Sequence, residues 1–270
     1  GCAAAVGAAA AGAHTVVAGA AGDGRVRGGR GGDDASGGGA GDPGHGAPAA
    51  LWLLDVRGRV ILSGMGKAFC AGHDLREMQA ARQSDDAGAA ALGDLFDRCA
   101  HMMQTIQKIP QPVIAQAHGV AVAAGCQLVA TCDLAVASDT CKFGVNGVNI
   151  GLFCSTPMVA LTRNIPRKAA FEMLTTGRLI DATEAQALGL INRAVSEDRL
   201  TEETRALALT IANKLPAAVK TGKQAFYEQA QMTTADAYTY AGARMVDNML
   251  DANTNEGITA FLEKRAPDWD

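Results

Sequence analysis

The feature that most constrains this chain is a pair of apolar, strand-length runs separated by a short stretch of small residues. Pro112-Val113-Ile114-Ala115-Gln116-Ala117 and Asp133-Leu134-Ala135-Val136-Ala137-Ser138 both read as strands, and residues 123–130 between them are mostly small. A strand, a short helix and a second strand within so few residues indicate a parallel crossover, which places the chain in the α/β class.

The neighbouring segments extend this outline. Arg59-Val60-Ile61-Leu62-Ser63 reads as a further strand ending at Gly64, followed by a glycine-bearing loop through Gly72. Over residues 95–109, Leu95, Cys99, Met102, Met103 and Ile106 recur at three- and four-residue spacing, which predicts an amphipathic helix ended by Pro110. Beyond Pro157 the spacing predicts helices over 158–163, 167–175 and 183–188, a short strand over 191–195, and helices over 201–214, 216–230, 234–249 and 255–264. The expected organisation is an α/β core over residues 51–200 and a helical region over 201–270.

Composition narrows the function classes. Basic residues number 24 against 28 acidic ones, a net charge of −4, and no basic stripe interrupts the balance. Sequence-independent nucleic-acid binding needs such a surplus, so a nucleic-acid partner is not expected. No apolar run reaches the roughly 18 residues of a membrane-spanning helix. The seven cysteines are odd in number and show no C-x-x-C pairs, which argues against a disulfide framework and a zinc site. They read as reduced, mostly small buried hydrophobes.

Residues 1–50 stand apart. They are dominated by Gly and Ala, with dispersed Arg and Asp and no sustained hydrophobic period. Such a segment cannot bury enough apolar surface to offset its ordering entropy, and disorder is expected. An organellar targeting extension, a flexible linker, and translation from an altered frame or misassigned start are the three readings of it.

Two places present backbone amides to a ligand. In Cys70-Ala71-Gly72-His73-Asp74-Leu75, Gly72 permits a sharp turn that leaves the His73 N–H pointing outward. In Gly119-Val120-Ala121-Val122-Ala123-Ala124-Gly125-Cys126, a small-residue loop enters a helix whose first amides lack partners and carry the positive end of the dipole. Together they can form an oxyanion hole; close packing of small residues is the competing reading. Asp74 reads as a helix cap, Glu77 as part of a solvated face and His118 as structural. Cys154 has no base beside it in sequence, and the His73 ring is either an acid/base group or a ligand contact.

Gly66-Lys67-Ala68-Phe69-Cys70-Ala71-Gly72-His73-Asp74-Leu75, followed by His118-Gly119, Ala124-Gly125-Cys126-Gln127-Leu128 and Cys132-Asp133-Leu134-Ala135-Val136-Ala137, resembles in order and spacing the signature of the enoyl-CoA hydratase/isomerase (crotonase) superfamily. The resemblance runs from about Arg59 to the C-terminus, and the combination is specific although no single piece is. It implies a crotonase-like ββα spiral core with a C-terminal helical trimerisation part, assembled as a homotrimer or a dimer of trimers. It also implies an acyl-CoA thioester as ligand, with coenzyme A entering as part of the substrate and no permanently bound cofactor. The thioester oxygen would lie on the His73 and Ala124 amides. The positions of the two glutamates used by hydratases are matched by Gln127 and Gly147, which disfavours hydration by the two-carboxylate route.

For the coenzyme, the resemblance assigns Lys67, Phe69, Ala71 and Arg76, with Phe261 and Lys264 reaching it from a neighbouring subunit. A mitochondrial location is implied, with the cytoplasm as the alternative. Superfamily members also place two strands and a helix before the strand at residues 59–63, and nothing in residues 1–50 resembles them. The opening strands are therefore expected to be missing, through a faulty gene model or altered frame, and the sheet to carry an unpaired edge.

Overall fold

Both predicted strands of the crossover are present, and alternation along them decides the architecture. The computed structural model describes residues 58–269 and, as backbone, the strands β1 (Thr15–Ala18) and β2 (Leu51–Asp55). The expected disorder over residues 1–50 otherwise lies outside the described residues. The main sheet has six strands in the order β1, β2, β3 (Val60–Gly64), β4 (Val113–Ala117), β6 (Leu134–Ser138) and β9 (Arg193–Val195). Pairing is antiparallel from β1 to β3 and parallel from β3 onward, with Ala115 beside Ala135 across the crossover.

The expectation that the sheet lacks its opening strands is corrected here. β1 pairs with β2 from Thr15–Leu54 to Ala18–Leu51, and β2 pairs with β3 from Leu51–Gly64 to Asp55–Val60. The physical reason is local. Leu51-Trp52-Leu53-Leu54 is an apolar run of strand length just ahead of β3, and Thr15-Val16-Val17 is the one β-branched cluster in its glycine-rich surroundings.

Alternate residues of the central strands enter different cores. Val60, Leu62, Val113, Ala115, Ala135 and Ala137 face the larger apolar cluster, whereas Ile61, Ile114 and Val136 face a smaller one closed by Leu200 and Ala208. Burial on both faces explains why these strands read as apolar runs. The smaller face is covered by α7 (Leu200–Ala212), so this helix belongs to the core layers and a boundary at residue 201 falls inside it. On the other side lie α2 (Ala89–Lys108), whose buried stripe is Cys99, Met102, Met103 and Ile106, and α3 (Ala124–Thr131), buried from Gly125 to Thr131. The helix predicted from residue 95 thus starts six residues earlier, after Gly88 in the left-handed region.

A second sheet of three-residue strands holds β5 (Val120–Val122) next to β7 (Lys142–Gly144), which pairs in turn with β8 (Leu179–Asp181). Residues 120–122, expected as loop, are therefore a strand. The rest is helical: α1 (Leu75–Ala81), α4 (Ser155–Asn164), α5 (Arg167–Thr176), α6 (Ala182–Leu188), α8 (Pro216–Gln229), α9 (Thr234–Met249) and α10 (Ala252–Glu263).

A charged clamp fastens α8 to the core. Lys223 Nζ donates to the Ile106 and Gln111 carbonyls at 2.7 and 2.8 Å and to Asp133 Oδ2 at 2.6 Å. Asp133 also accepts from Val113 N–H and Tyr227 O–H, each at 2.7 Å. Burial pushes the Lys223 pKa down while the Asp133 carboxylate opposes that shift, and the Tyr227 hydroxyl is pushed up. A fully satisfied network of this kind fixes one register between helix and sheet. The six described cysteines are all free and buried, as expected, and burial raises the Cys126 thiol to about 12. No helix among the described residues is long and apolar enough to cross a membrane.

Candidate functional site

The two amide-bearing turns meet because β5 forms one rung of parallel pairing with the segment before Gly72. Cys70 N–H donates to Val120 O at 3.2 Å and Val122 N–H to Cys70 O at 3.0 Å, bridging Cys70 and Ala121. Gly125 completes the approach. A Cβ there would lie 2.0 Å from the Cys70 carbonyl oxygen, so only glycine lets α3 start this close to the other turn.

Gly72 has φ +101°, and a Cβ on it would stand 3.0 Å from Ala123 Cβ and 3.6 Å from Ala124 N. The His73 turn and the first residue of α3 are therefore in contact. Ala123 adopts φ +50°, uncommon for a residue with a side chain, and its N–H donates to Gly144 O at 2.9 Å. This strained residue aims the start of α3. Neither the His73 nor the Ala124 N–H has an acceptor among the described residues. The structure thus brings together the two predicted donors, one of them at the positive end of an eight-residue helix.

The side chains around the hole divide by role. Asp74 caps α1, accepting from Arg76 N–H at 2.7 Å and Glu77 N–H at 3.4 Å, as predicted. His118 Nε2 is hydrogen-bonded to the Gly66 carbonyl at 2.9 Å, a structural role. Gln127, one turn into α3, is 5% exposed and its Oε1 is buried without a partner. The His73 ring has a buried Nε2 without a partner and meets Phe96 of α2 edge-on at 5.8 Å between ring centroids. Desolvation holds the His73 pKa below its usual 6.5. Gly147 lies in a 3-10 turn, Asn146–Ile150, where a Cβ would meet Leu152 O at 2.5 Å and Cys154 Sγ at 2.8 Å. Sequence reasoning missed that crowding, since nothing in the spacing shows that Cys154 fills the space beside residue 147.

Of the residues assigned to a coenzyme, Lys67, Ala71 and Arg76 are exposed on the loop and helix next to the hole, and Lys67 and Arg76 form no ion pair among the described residues. Phe69 differs from these three in its burial. Its side chain is 0% exposed in the main core and its N–H donates to His118 O, so it packs the loop and offers a ligand no side-chain contact. Phe261, 82% exposed, and Lys264 lie at the end of α10. Within one chain Phe261 borders a cleft with Leu215, Ile258 and Trp269, on which no residue of the hole appears.

Sheet, crossover helix and the adjoining loop turns define an α/β protein of the crotonase class of fold. The chain belongs to the enoyl-CoA hydratase/isomerase family, whose profile matches residues 55–270. It is similar to enoyl-CoA hydratase domain-containing protein 3, mitochondrial, of Danio rerio, with 47% identity over 210 residues, 78% of this chain and 71% of the relative. The Homo sapiens protein of the same name is also 47% identical, over 78% of this chain and 68% of the relative. Among solved structures, an enoyl-CoA hydratase of Mycobacterium smegmatis superposes with TM-score 0.75 at 45% identity, covering 80% of this chain and 98% of that one. Human enoyl coenzyme A hydratase domain-containing protein 3 superposes with TM-score 0.73 at 46% identity, covering 77% and 81%.

Proposed function

We propose that this protein binds an acyl-CoA thioester with its carbonyl oxygen between the His73 and Ala124 amides, and acts on it as a hydratase/isomerase-type enzyme through a thioester enolate. The observation carrying this reading is the pair of partnerless amides on touching turns. As charge builds on the thioester oxygen, fixed dipoles stabilise it without reorganising, and one such donor contributes about 3 kcal/mol. Lys67 and Arg76 are free to meet the coenzyme phosphates, and a neighbouring subunit's Phe261 and Lys264 would complete that contact. Coenzyme A belongs to the substrate, with no resident cofactor.

A homotrimer, or a dimer of trimers, fits the apolar surface of the C-terminal helices, where Phe226, Met245, Leu250 and Leu262 are exposed. The two relatives are mitochondrial by name, which supports a mitochondrial location. The test of binding is calorimetry with crotonyl-CoA and free coenzyme A. A dissociation constant on the order of micromolar for the ester is expected; absence of binding to any acyl-CoA sinks the reading.

A second reading, a non-catalytic acyl-CoA-binding or regulatory protein of lipid metabolism, is favoured by Gln127 and Gly147. Hydratases have glutamates at the matching positions, but Gln127 does not titrate and Gly147 has no room for a side chain. Tight ester binding with no turnover across enoyl-, dienoyl- and hydroxyacyl-CoA substrates would select it. Appearance of hydratase activity in Gln127→Glu would show that the hole was competent and only a base was absent. Gly147→Glu is a poor partner variant because its Cβ must displace the Leu152 carbonyl or Cys154.

A further inference from the structure

Two polar atoms beside the hole are buried without a partner: Nε2 of His73 and Oε1 of Gln127. Each orphan costs about 1–3 kcal/mol, so a native fold keeps such atoms where a water or ligand satisfies them. Their placement is specific. His73 is the residue whose own N–H is one oxyanion donor, and Gln127 stands three residues after Ala124, which supplies the other. The groups that need satisfying therefore belong to the same two turns that hold the thioester oxygen.

The remaining titratable side chains of these segments are engaged elsewhere or displaced from the hole. Asp74 is spent on two helix amides, and His118 is tied to the Gly66 carbonyl. Cys70 is 5% exposed in the main core, and Cys126 is fully buried, with its thiol raised to about 12. Cys154 packs where a side chain on residue 147 would begin, and Glu77 is exposed on α1. The imidazole is what remains, with its ring held edge-on by Phe96.

We propose that His73 transfers the proton in this active site through Nε2, with Gln127 Oε1 orienting the water it acts on. The proposal rests on the acyl-CoA reading above. With the ring proton on Nδ1, Nε2 is an acceptor. In hydration of a 2-enoyl-CoA, a water O–H bond breaks and its proton passes to Nε2 as the oxygen bonds to the β carbon. The double-bond electron pair moves to the α carbon and onto the thioester oxygen, held by the two amides. The imidazolium then returns the proton to the α carbon, so that one water has been added and the ring is neutral again. Dehydration is the same path reversed.

Burial is the cause of the lowered His73 pKa, and none of the charged or titratable side chains at the two adjacent helices contributes to it: Asp74, Arg76 and Glu77 at α1, Asp94, Asp97, Arg98, Cys99, His101 and Lys108 on α2. The ring is therefore neutral and able to accept a proton at neutral pH.

The experiment compares crotonyl-CoA hydration and calorimetric binding for the wild-type protein, His73→Gln and Gln127→Ala. Both changes keep the backbone donors. Expected are crotonyl-CoA binding within about threefold of wild type and a fall in kcat/KM of about a hundredfold or more for His73→Gln, the usual scale of a general acid–base group. Wild-type kcat/KM should fall on an acid limb below pH 6.5. Wild-type binding without turnover, a His73→Gln rate within about tenfold of wild type, or a wild-type kcat/KM that stays flat from about pH 8 down to the onset of acid unfolding overturns the proposal. The last measurement needs no variant, so a misfolded His73→Gln does not shelter the idea. Failure of wild-type binding is a separate result that removes the acyl-CoA reading itself.

Discussion

Replacing Lys223 by Met tests whether the C-terminal helices are fastened by the charged clamp or by apolar contact alone. Methionine keeps much of the stem and removes the ammonium. The change deletes three hydrogen bonds of 2.6–2.8 Å and leaves the Asp133 carboxylate, whose side chain is 14% exposed, without its cation. Breaking a buried pair from one side costs about 3–5 kcal/mol. Asp133 keeps its bonds from Val113 and Tyr227, which places the loss near the lower end, about 3 kcal/mol. For a domain of this size that corresponds to a fall in Tm of about 6–12 °C. Urea unfolding followed by circular dichroism, at one protomer concentration for all variants, measures it. Lys223→Met combined with Asp133→Asn should lose less than the two single changes added, because the stranded charge is removed with its partner, with a coupling of about 1 kcal/mol or more. A Lys223→Met loss below about 1 kcal/mol, or strict additivity, would refute the reasoning.

Other predictions concern the hole. Gly72→Ala should weaken turnover by about a hundredfold, the value of one displaced oxyanion donor, since its Cβ meets Ala123 at 3.0 Å and φ +101° strains it. Gly66→Ala, at φ +78° with nothing within 4 Å, separates strain from crowding and should leave acyl-CoA affinity unchanged; equal effects of the two would show that the contact is irrelevant. Lys67→Ala and Arg76→Ala should each weaken crotonyl-CoA binding about threefold to tenfold, more at low salt, and calorimetry at two ionic strengths checks this. Because the folded pKa of His73 lies below the unfolded value of 6.5, the unfolded chain binds that proton more readily. The His73 contribution to stability is therefore full above 6.5 and lost as pH falls through the folded pKa. His73→Gln should flatten this part of the stability profile in urea titrations.

The parts legible from sequence were those with a local pattern. The parallel crossover declared itself through apolar runs, and the capping role of Asp74 through residue type and position. The His73 turn was visible because Gly72 is a glycine. Its counterpart was only half visible, for the strained residue is Ala123, and nothing in an alanine announces φ +50°. The second sheet escaped because three-residue strands have no measurable period and find partners 22 to 39 residues away. Phe69 was assigned to the coenzyme by resemblance alone, and nothing local in its loop announces that its side chain is buried. The clamp joins residues 90 apart, beyond any local reading, although Val219, Lys223 and Tyr227 at four-residue spacing put a cation on a helix stripe otherwise built for packing. The strand β1 was hidden in a composition that reads as unstructured throughout.

The rung between Cys70 and Ala121 sets the separation of the two amides proposed as oxyanion donors, and every atom in it is main chain. The ruler of the site is therefore independent of what residues 73, 124 and 127 carry. Side chains there can be exchanged by mutation while the distance between the amides is inherited intact. A lineage using this scaffold can change its proton-transfer chemistry one residue at a time without rebuilding the part that recognises charge on an oxygen.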